Sequence, residues 1–237
     1  MLLLFDIDGT LLIGAADAHR DAIHEALRVV HGVTDPDHGG LRVAGRTDMD
    51  IARVLLTRAG ISAERIDEHA DDMRVAACEA YGRLRPDDLS ATVAPGMGEL
   101  LEQLAAREDV RLSLVTGNYE PIARMKLAAA GIGGLFERGQ GGFGSDHEAR
   151  AELPAIARRR AGDGEPWPRE RTLLIGDTPR DIACARADGV RVVAIATGPF
   201  RAAELRDADA VAHDAHELGA LLEPLLTGTR AGAENYP

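Results

Sequence analysis

Four short and mostly apolar runs stand out along the chain: Leu2 to Phe5, Leu112 to Val115, Thr172 to Ile175 and Val190 to Ile195. Each is too short for a helix and too uniformly apolar for a strand with one wet face, so they predict strands buried on both sides of a parallel sheet. Between and after them, apolar residues recur at three- and four-residue intervals, predicting helices over Met97 to Arg107, Glu120 to Ala130, Glu148 to Arg160, Pro179 to Ala187 and His216 to Leu226. Gly131, Gly162 and Gly189 fall where three of these helices would end. The alternation predicts an α/β fold, a doubly wound parallel sheet with helices on both faces. Ligands of such sheets gather at the carboxyl ends of the strands. There, the first three runs lead straight into Asp6, Thr116-Gly117-Asn118 and Gly176-Asp177.

From about Gly14 to Asp88 the alternation stops. Helical patterns over Asp17 to Val30, Asp48 to Arg58 and Ala63 to Tyr81 follow one another with no buried strand between them, and Pro86 and Pro95 flank the return of the alternation. The expected organisation is a Rossmann-like core of residues 1–13 and 89–237 interrupted by an all-helical insert of residues 14–88. No internal repeat is visible, and Gly228 to Pro237 read as a frayed tail.

Composition narrows the class. With 237 residues, 45% of them hydrophobic, the chain can bury a sizeable core, which excludes intrinsic disorder. Its net charge of −12 argues against a nucleic-acid partner, which needs a basic face. Cys78 and Cys184 lie in different regions, so no disulfide framework is expected, and a reducing, cytoplasmic setting fits best. The apolar start ends at Asp6 with no basic stretch before it, unlike a signal peptide. The longest weakly polar run, Leu127 to Phe136, falls short of the roughly 18 residues a membrane span requires, so no membrane partner is expected. Of the 27 basic residues only Lys126 is a lysine. In a chain so biased towards arginine, a surviving lysine suggests a place that needs a compact ammonium rather than a planar fork.

The candidate chemistry sits in four places. Asp6 and Asp8 lie two residues apart at a strand end, so both carboxylates point to one side of the sheet and would repel unless a divalent cation or a shared proton relieved them. A calcium-binding helix–loop–helix also contains such a string, but its fifth and sixth positions would be Thr10 and Leu11, where the loop needs a ligand and a glycine. A simple helix-capping turn is the blander alternative. Thr116, Gly117 and Asn118 offer a hydroxyl, an amide and backbone N–H groups at a helix start, which suits a phosphate. Lys126 follows inside the next helix. Asp177 and Asp181 are spaced to share one helix face. Oxygen donors without matched His or Cys favour Mg²⁺ over zinc or copper.

In order along the chain, Asp6/Asp8, Thr116, Lys126 and Asp177/Asp181 resemble the four motifs of the haloacid dehalogenase-like hydrolase superfamily. The resemblance covers the whole core, and the helical insert looks like the family's cap. Within it, Gly45-Arg46-Thr47-Asp48 is similar to members of the phosphoglycolate phosphatase type. The resemblance implies that Asp6 is the nucleophile, forming an aspartyl-phosphate, and that Asp8 is the general acid–base. It implies Mg²⁺ held by Asp6, the Asp8 carbonyl and Asp177, with Asp181 as ligand or outer support. It also implies a phosphoryl group held by Thr116, a backbone N–H near Gly117, Asn118 and Lys126. Dehalogenases of the superfamily lack the second aspartate of the first motif, and phosphonoacetaldehyde hydrolases use a cap lysine that this insert does not contain. Sugar phosphomutases share all four motifs and remain the enzymatic alternative, with a non-catalytic domain that retains the fold as the other.

The insert should choose the substrate, and Arg46 and Asp48 stand out in it. A guanidinium fork at Arg46 would pair with a carboxylate, which favours a small anionic phosphate ester such as phosphoglycolate. Oligomeric state leaves no mark in the sequence. Gly139 to Gly144 fit the spacing of a dinucleotide-binding loop but follow no convincing strand, so a flexible turn is expected there, leading to Ser145-Asp146 as a cap for the helix from Glu148. Arg150 and Arg180 could assist phosphate binding, but in a chain with 26 arginines a surface place is expected for both, and His213 and His216 are expected at a solvated helix start.

Overall fold

The structure, a computed structural model, describes residues 1–162 and 164–227; the expected tail lies outside the described residues. Strands β1 (Leu2–Phe5), β2 (Arg111–Thr116), β3 (Gly142–Phe143), β4 (Thr172–Gly176), β5 (Arg191–Ile195) and β6 (Ala210–Ala212) form one sheet in the order β3-β2-β1-β4-β5-β6. Every pairing is parallel. β1 is an inner strand, with Leu2 opposite Arg111 on one side and Thr172 on the other.

The uniform apolarity of the inner strands is explained by cover on both faces. Leu3, Phe5, Leu114, Ile175 and Val193 pack beneath α5 (Met97–Ala105), α6 (Glu120–Ala129) and α9 (Ala215–Leu226). Leu2, Leu4, Leu174 and Val192 pack on the other face against α7 (Leu153–Ala161) and α8 (Pro179–Asp188). Alternate residues of one strand thus serve two separate cores, as the two-residue period requires. The fold is α/β with a Rossmann-like doubly wound sheet and a helical cap.

That cap is built from α1 (Asp17–His31), α2 (Asp48–Arg58), α3 (Ala63–Glu68) and α4 (Ala70–Leu84). Leu27, Leu55, Leu56, Met73 and Tyr81 form its own buried core, into which Tyr119 and Ile122 reach from the sheet side. The cap meets the core through that pair, through the chain from Ala44 to Thr47 and through His19, which touches Lys126.

Several local expectations need correction. The helix expected over Ala63 to Tyr81 is broken at His69, whose backbone leaves the helical region while its Nδ1 bonds Asp72 at 2.8 Å. The helix expected from Glu148 begins at Leu153, after a tight turn over Arg150–Glu152, with Pro154 in its opening turn, where a missing N–H costs nothing. The glycine-rich turn contains the edge strand β3, and Ser145-Asp146 caps no helix from Glu148. Instead the Ser145 hydroxyl accepts the Glu120 N–H at the start of α6, and Asp146 accepts from the Phe143 N–H and from Arg160. No helix among the described residues is long and apolar enough to cross a membrane.

Candidate active site

The carboxyl ends of β1, β2 and β4 converge because the three strands are neighbours in register: Phe5 sits beside Leu114 and Ile175. The Asp6 N–H donates to the Ile175 carbonyl at 2.9 Å, extending the ladder by one residue and aiming the Asp6 side chain over the strand ends. Beyond it the chain turns at Gly9, whose φ of +90° suits glycine, and whose Cβ position lies 2.3 Å from an Asp177 oxygen. A side chain there would displace the carboxylate.

Two clusters result. In the first, ligand oxygens of Asp6, Asp177 and Asp181 all lie within 4.8 Å of one another, and all three residues are buried. Burial raises the Asp6 carboxyl to about 6, and Asp181 and Asp8 add to that although Arg150 opposes it. Burial, then Asp6 and Asp181, push Asp177 up to about 8. One Asp177 oxygen accepts from the Thr10 hydroxyl at 3.2 Å, while its Oδ2 is buried with no hydrogen-bond partner. An orphaned acceptor in a cluster made of oxygen donors alone is the arrangement a hard divalent cation satisfies, so these residues fit one. Asp181 is the most committed of the three. Its Oδ2 takes the Thr178 N–H at 3.0 Å and hydroxyl at 2.7 Å, capping α8, and its Oδ1 faces Arg150.

Arg150 was expected on the surface and is instead buried, 8% exposed, with its Nη2 3.2 Å from Asp6 and also on Asp181. Burial disfavours its charge, but Asp181 and Asp6 outweigh that and hold the guanidinium protonated. The sequence offered it as a possible phosphate-binding group but gave no spacing that sets it apart among the 26 arginines of the chain; the turn before α7 brings it in. Arg180 donates to the Ala44 carbonyl at 3.0 Å, bridging α8 to the cap.

The second cluster surrounds Asp8. Lys126 is fully buried, and its Nζ donates to both Asp8 oxygens at 2.7 Å. The Asn118 amide donates to Asp8 Oδ2 at 2.9 Å and to the Thr116 hydroxyl at 3.1 Å. Burial alone would raise the Asp8 carboxyl; Lys126, by its charge and its hydrogen bonds, and the Asn118 amide more than offset it and hold the group below its ordinary value. The structure thus sets the lone lysine on Asp8, not on Asp6. Gly117 completes this side: a Cβ there would meet the Arg46 carbonyl at 2.0 Å, so the cap crosses the strand end only because the residue is glycine.

Of the two cap residues singled out by sequence, Asp48 is buried. Its Oδ2 accepts from the Tyr119 N–H at 2.7 Å and pairs with His19 Nε2 at 3.0 Å. Arg46 spends Nη1 on Asp50 at 2.6 Å and Nε on the Arg42 carbonyl at 3.3 Å. Both border a cavity of about 640 Å³ between cap and sheet, whose floor is Asp6, Asp8 and Asp177 and whose wall includes Ile23 and Ile51. His19, on α1, had no sequence signal to separate it from the other seven histidines. His213 pairs with Glu217 at 2.8 Å at an exposed helix start.

Residues 3–186 match the family model of the haloacid dehalogenase-like hydrolases. A phosphoglycolate phosphatase from Rhodospirillum rubrum is 31% identical over 200 residues, covering 84% of this chain and 80% of the relative. One from Mesorhizobium japonicum is 26% identical, covering 83% of each. Among solved structures, a hydrolase from Pseudomonas syringae superposes with a TM-score of 0.66 at 23% identity, covering 94% of this chain and 98% of that one, a likeness of fold. The matched span takes in every motif residue from Asp6 to Asp181, and the chain belongs to the haloacid dehalogenase-like hydrolase family, as an enzyme of its capped phosphatase type.

Proposed function

We propose that the protein hydrolyses a small-molecule phosphate monoester with Mg²⁺ through a phosphorylated aspartate. The observation that carries this reading is the pair of clusters side by side: three carboxylates converging within 4.8 Å, with a lysine–carboxylate–amide group next to them. The proposed division is a core of residues 1–13 and 89–237 with a cap of residues 14–88 that closes over the ester.

Asp6 attacks phosphorus with one carboxylate oxygen, and the bond to the leaving oxygen breaks. Asp8, which takes up a proton once the phosphoryl group has drawn the Lys126 ammonium off one of its oxygens, gives that proton to the leaving oxygen, then takes one from the water that hydrolyses the aspartyl-phosphate and frees Asp6. Thr116, the Gly117 N–H, Asn118 and Lys126 hold the phosphoryl oxygens as charge shifts between them. Asp6, the Asp8 carbonyl and Asp177 would hold Mg²⁺, with Asp181, its oxygens already engaged, supporting them from behind. The ion would supply positive charge to the phosphoryl oxygens and to the attacking carboxylate. Phosphoglycolate, for which the Rhodospirillum relative is named, is the first ester to assay, with Arg46 as the fork for its carboxylate once released from Asp50.

The test is phosphate release from a panel of esters with Mg²⁺ and with chelator: turnover only with Mg²⁺ supports the proposal, and none in either condition defeats it. Asp8→Asn sharpens it. Turnover of alkyl phosphates should fall by roughly 10²–10⁴-fold, the range of general acid–base catalysis, with a far smaller loss on p-nitrophenyl phosphate, whose leaving group needs no proton. Equal losses on both would remove Asp8 as the acid.

Metal also sets a stability expectation. Without it, the raised Asp6 and Asp177 carboxyls bind protons that the unfolded chain has released above about pH 4, so stability falls as pH rises through about 6 and 8. Mg²⁺ should flatten that slope, because the carboxylates are then ionised in both states, and add about 2.7 kcal/mol at a hundred times its dissociation constant. Thermal midpoints from pH 5 to 9, with Mg²⁺ and with chelator, check it; parallel curves would count against a metal at these carboxylates.

A further inference from the structure

Lys126 has three N–H donors and three partners: the two Asp8 oxygens, and His19 Nδ1 at 3.0 Å. An ammonium can only donate, so Nδ1 accepts and the ring carries its hydrogen on Nε2. That hydrogen points at Asp48 Oδ2, 3.0 Å away. Asp48 is itself fixed to the sheet side by the Tyr119 N–H, and its own N–H donates to the Gly117 carbonyl at 2.9 Å. The edge of the Tyr81 ring packs against the imidazole, with centroids 5.9 Å apart. His19 comes from α1 and Asp48 from the start of α2, so both are cap residues, while Lys126 belongs to α6. The chain Asp48, His19, Lys126, Asp8 therefore crosses from cap to strand end as one line of hydrogen bonds.

We infer that His19 and Asp48 are positioning residues: the closed cap seats the Lys126 ammonium through them, and so sets the orientation of Asp8. The inference rests on the phosphatase reading for its consequence, though not for its geometry. When the ammonium turns to a phosphoryl oxygen it gives up one Asp8 oxygen, and that exchange frees Asp8 to act on the leaving group. The His19 contact is the one it need not break. With His19 holding the third donor, the lysine pivots rather than swings, and Asp48 fixes the tautomer that makes the contact possible. With the cap lifted, the contact is gone, which ties the aim of the acid–base pair to closure. Asp48 then supports the chemistry rather than the choice of substrate.

Two measurements on the full-length protein test this. Turnover of an alkyl phosphate and of p-nitrophenyl phosphate is compared for wild type, His19→Ala, His19→Asn and Asp48→Asn. Roughly a ten- to hundredfold loss of kcat on the alkyl ester, with KM little changed, is expected for His19→Ala, and a smaller loss for Asp48→Asn, whose neutral amide oxygen can still take both the Tyr119 and the His19 N–H. The aryl ester should lose less than about threefold, because it does not depend on the acid. His19→Asn, whose amide oxygen can take the place of Nδ1, should recover part of the loss, and the double variant should be no worse than the poorer single one. Equal losses on both esters, or additive ones, would mean that the pair merely holds the cap together and would overturn the inference. Asp48→Asn is isosteric and keeps an acceptor for Tyr119, so it serves where the His19 variants fail to fold. The second measurement needs no turnover: imidazole ¹⁵N shifts of His19 should show a neutral ring protonated on Nε2. A ring protonated on Nδ1 in the wild type would overturn the inference even if the protein hydrolysed every ester. An absence of Mg²⁺-dependent turnover in the wild type would instead defeat the phosphatase reading and leave the ring measurement to decide the contact.

Discussion

Asp6→Asn should abolish turnover, by about four orders of magnitude or more, and leave the fold standing. The amide has the shape of the carboxyl but no oxygen able to attack phosphorus, and removal of a nucleophile costs losses of that size because the remaining groups act on a step that no longer occurs. Stability should hardly suffer in the metal-free protein. Asp6 is already raised to about 6 by burial and by its acidic neighbours, so a neutral side chain relieves as much repulsion as it forfeits attraction to Arg150. Phosphate release and thermal midpoint, measured on the same preparation, decide the point. Turnover like that of the wild type would end the covalent mechanism.

The second large effect belongs to Lys126→Met. The methionine fills much of the same volume, so the change isolates the charge. Asp8 would lose two 2.7 Å contacts in a pocket where the lysine is fully buried, and breaking such a pair costs about 3 kcal/mol. The sign of the pH dependence follows from Asp8. Its carboxyl is held below the ordinary value, so the pair stabilises the protein above about pH 4, and that contribution is lost as Asp8 takes up its proton in acid. Denaturant midpoints of variant and wild type should therefore differ at pH 7 and converge towards pH 3. Turnover should fall by at least about a hundredfold, because one fixed donor to the transition state is gone. A variant as stable as the wild type at pH 7 would show that the contact contributes nothing.

Much of this was legible in the sequence because the inner strands are covered on both faces. Two-sided burial forces Leu2 to Phe5 and Leu173 to Ile175 to be apolar throughout, and strands of that kind announce themselves. The residues directly after them were legible as chemistry because a polar group at such a strand end has few other reasons to be there. β3 and β6 were not visible. With two and three residues they carry no period, and they exist because β2 and β5 offer free edges. The buried place of Arg150 and the part played by His19 were missed for a related reason. Their significance lies in which element turns back over the strand ends, and neither a tight turn before α7 nor the face of α1 that meets α6 can be counted off along the chain. Lys126 was conspicuous as the lone lysine, yet its partner was not: rarity marks a residue, while only the packing of α6 chooses Asp8 over Asp6.

The place of β1 has a consequence for the chain as it is being made. Its four apolar residues are synthesised well before the strands that flank it, through Arg111 and Thr172. Meanwhile the helices from Asp17 to Leu84, whose contacts are mostly among themselves, can condense early. A nascent chain that has just completed α4 would thus display a compact helical bundle tethered to a sticky, unpaired β1, the kind of edge that chaperones capture and that invites association with other chains. Trigger-type holdases should matter more for the yield of this protein than for one whose first strand pairs with the next.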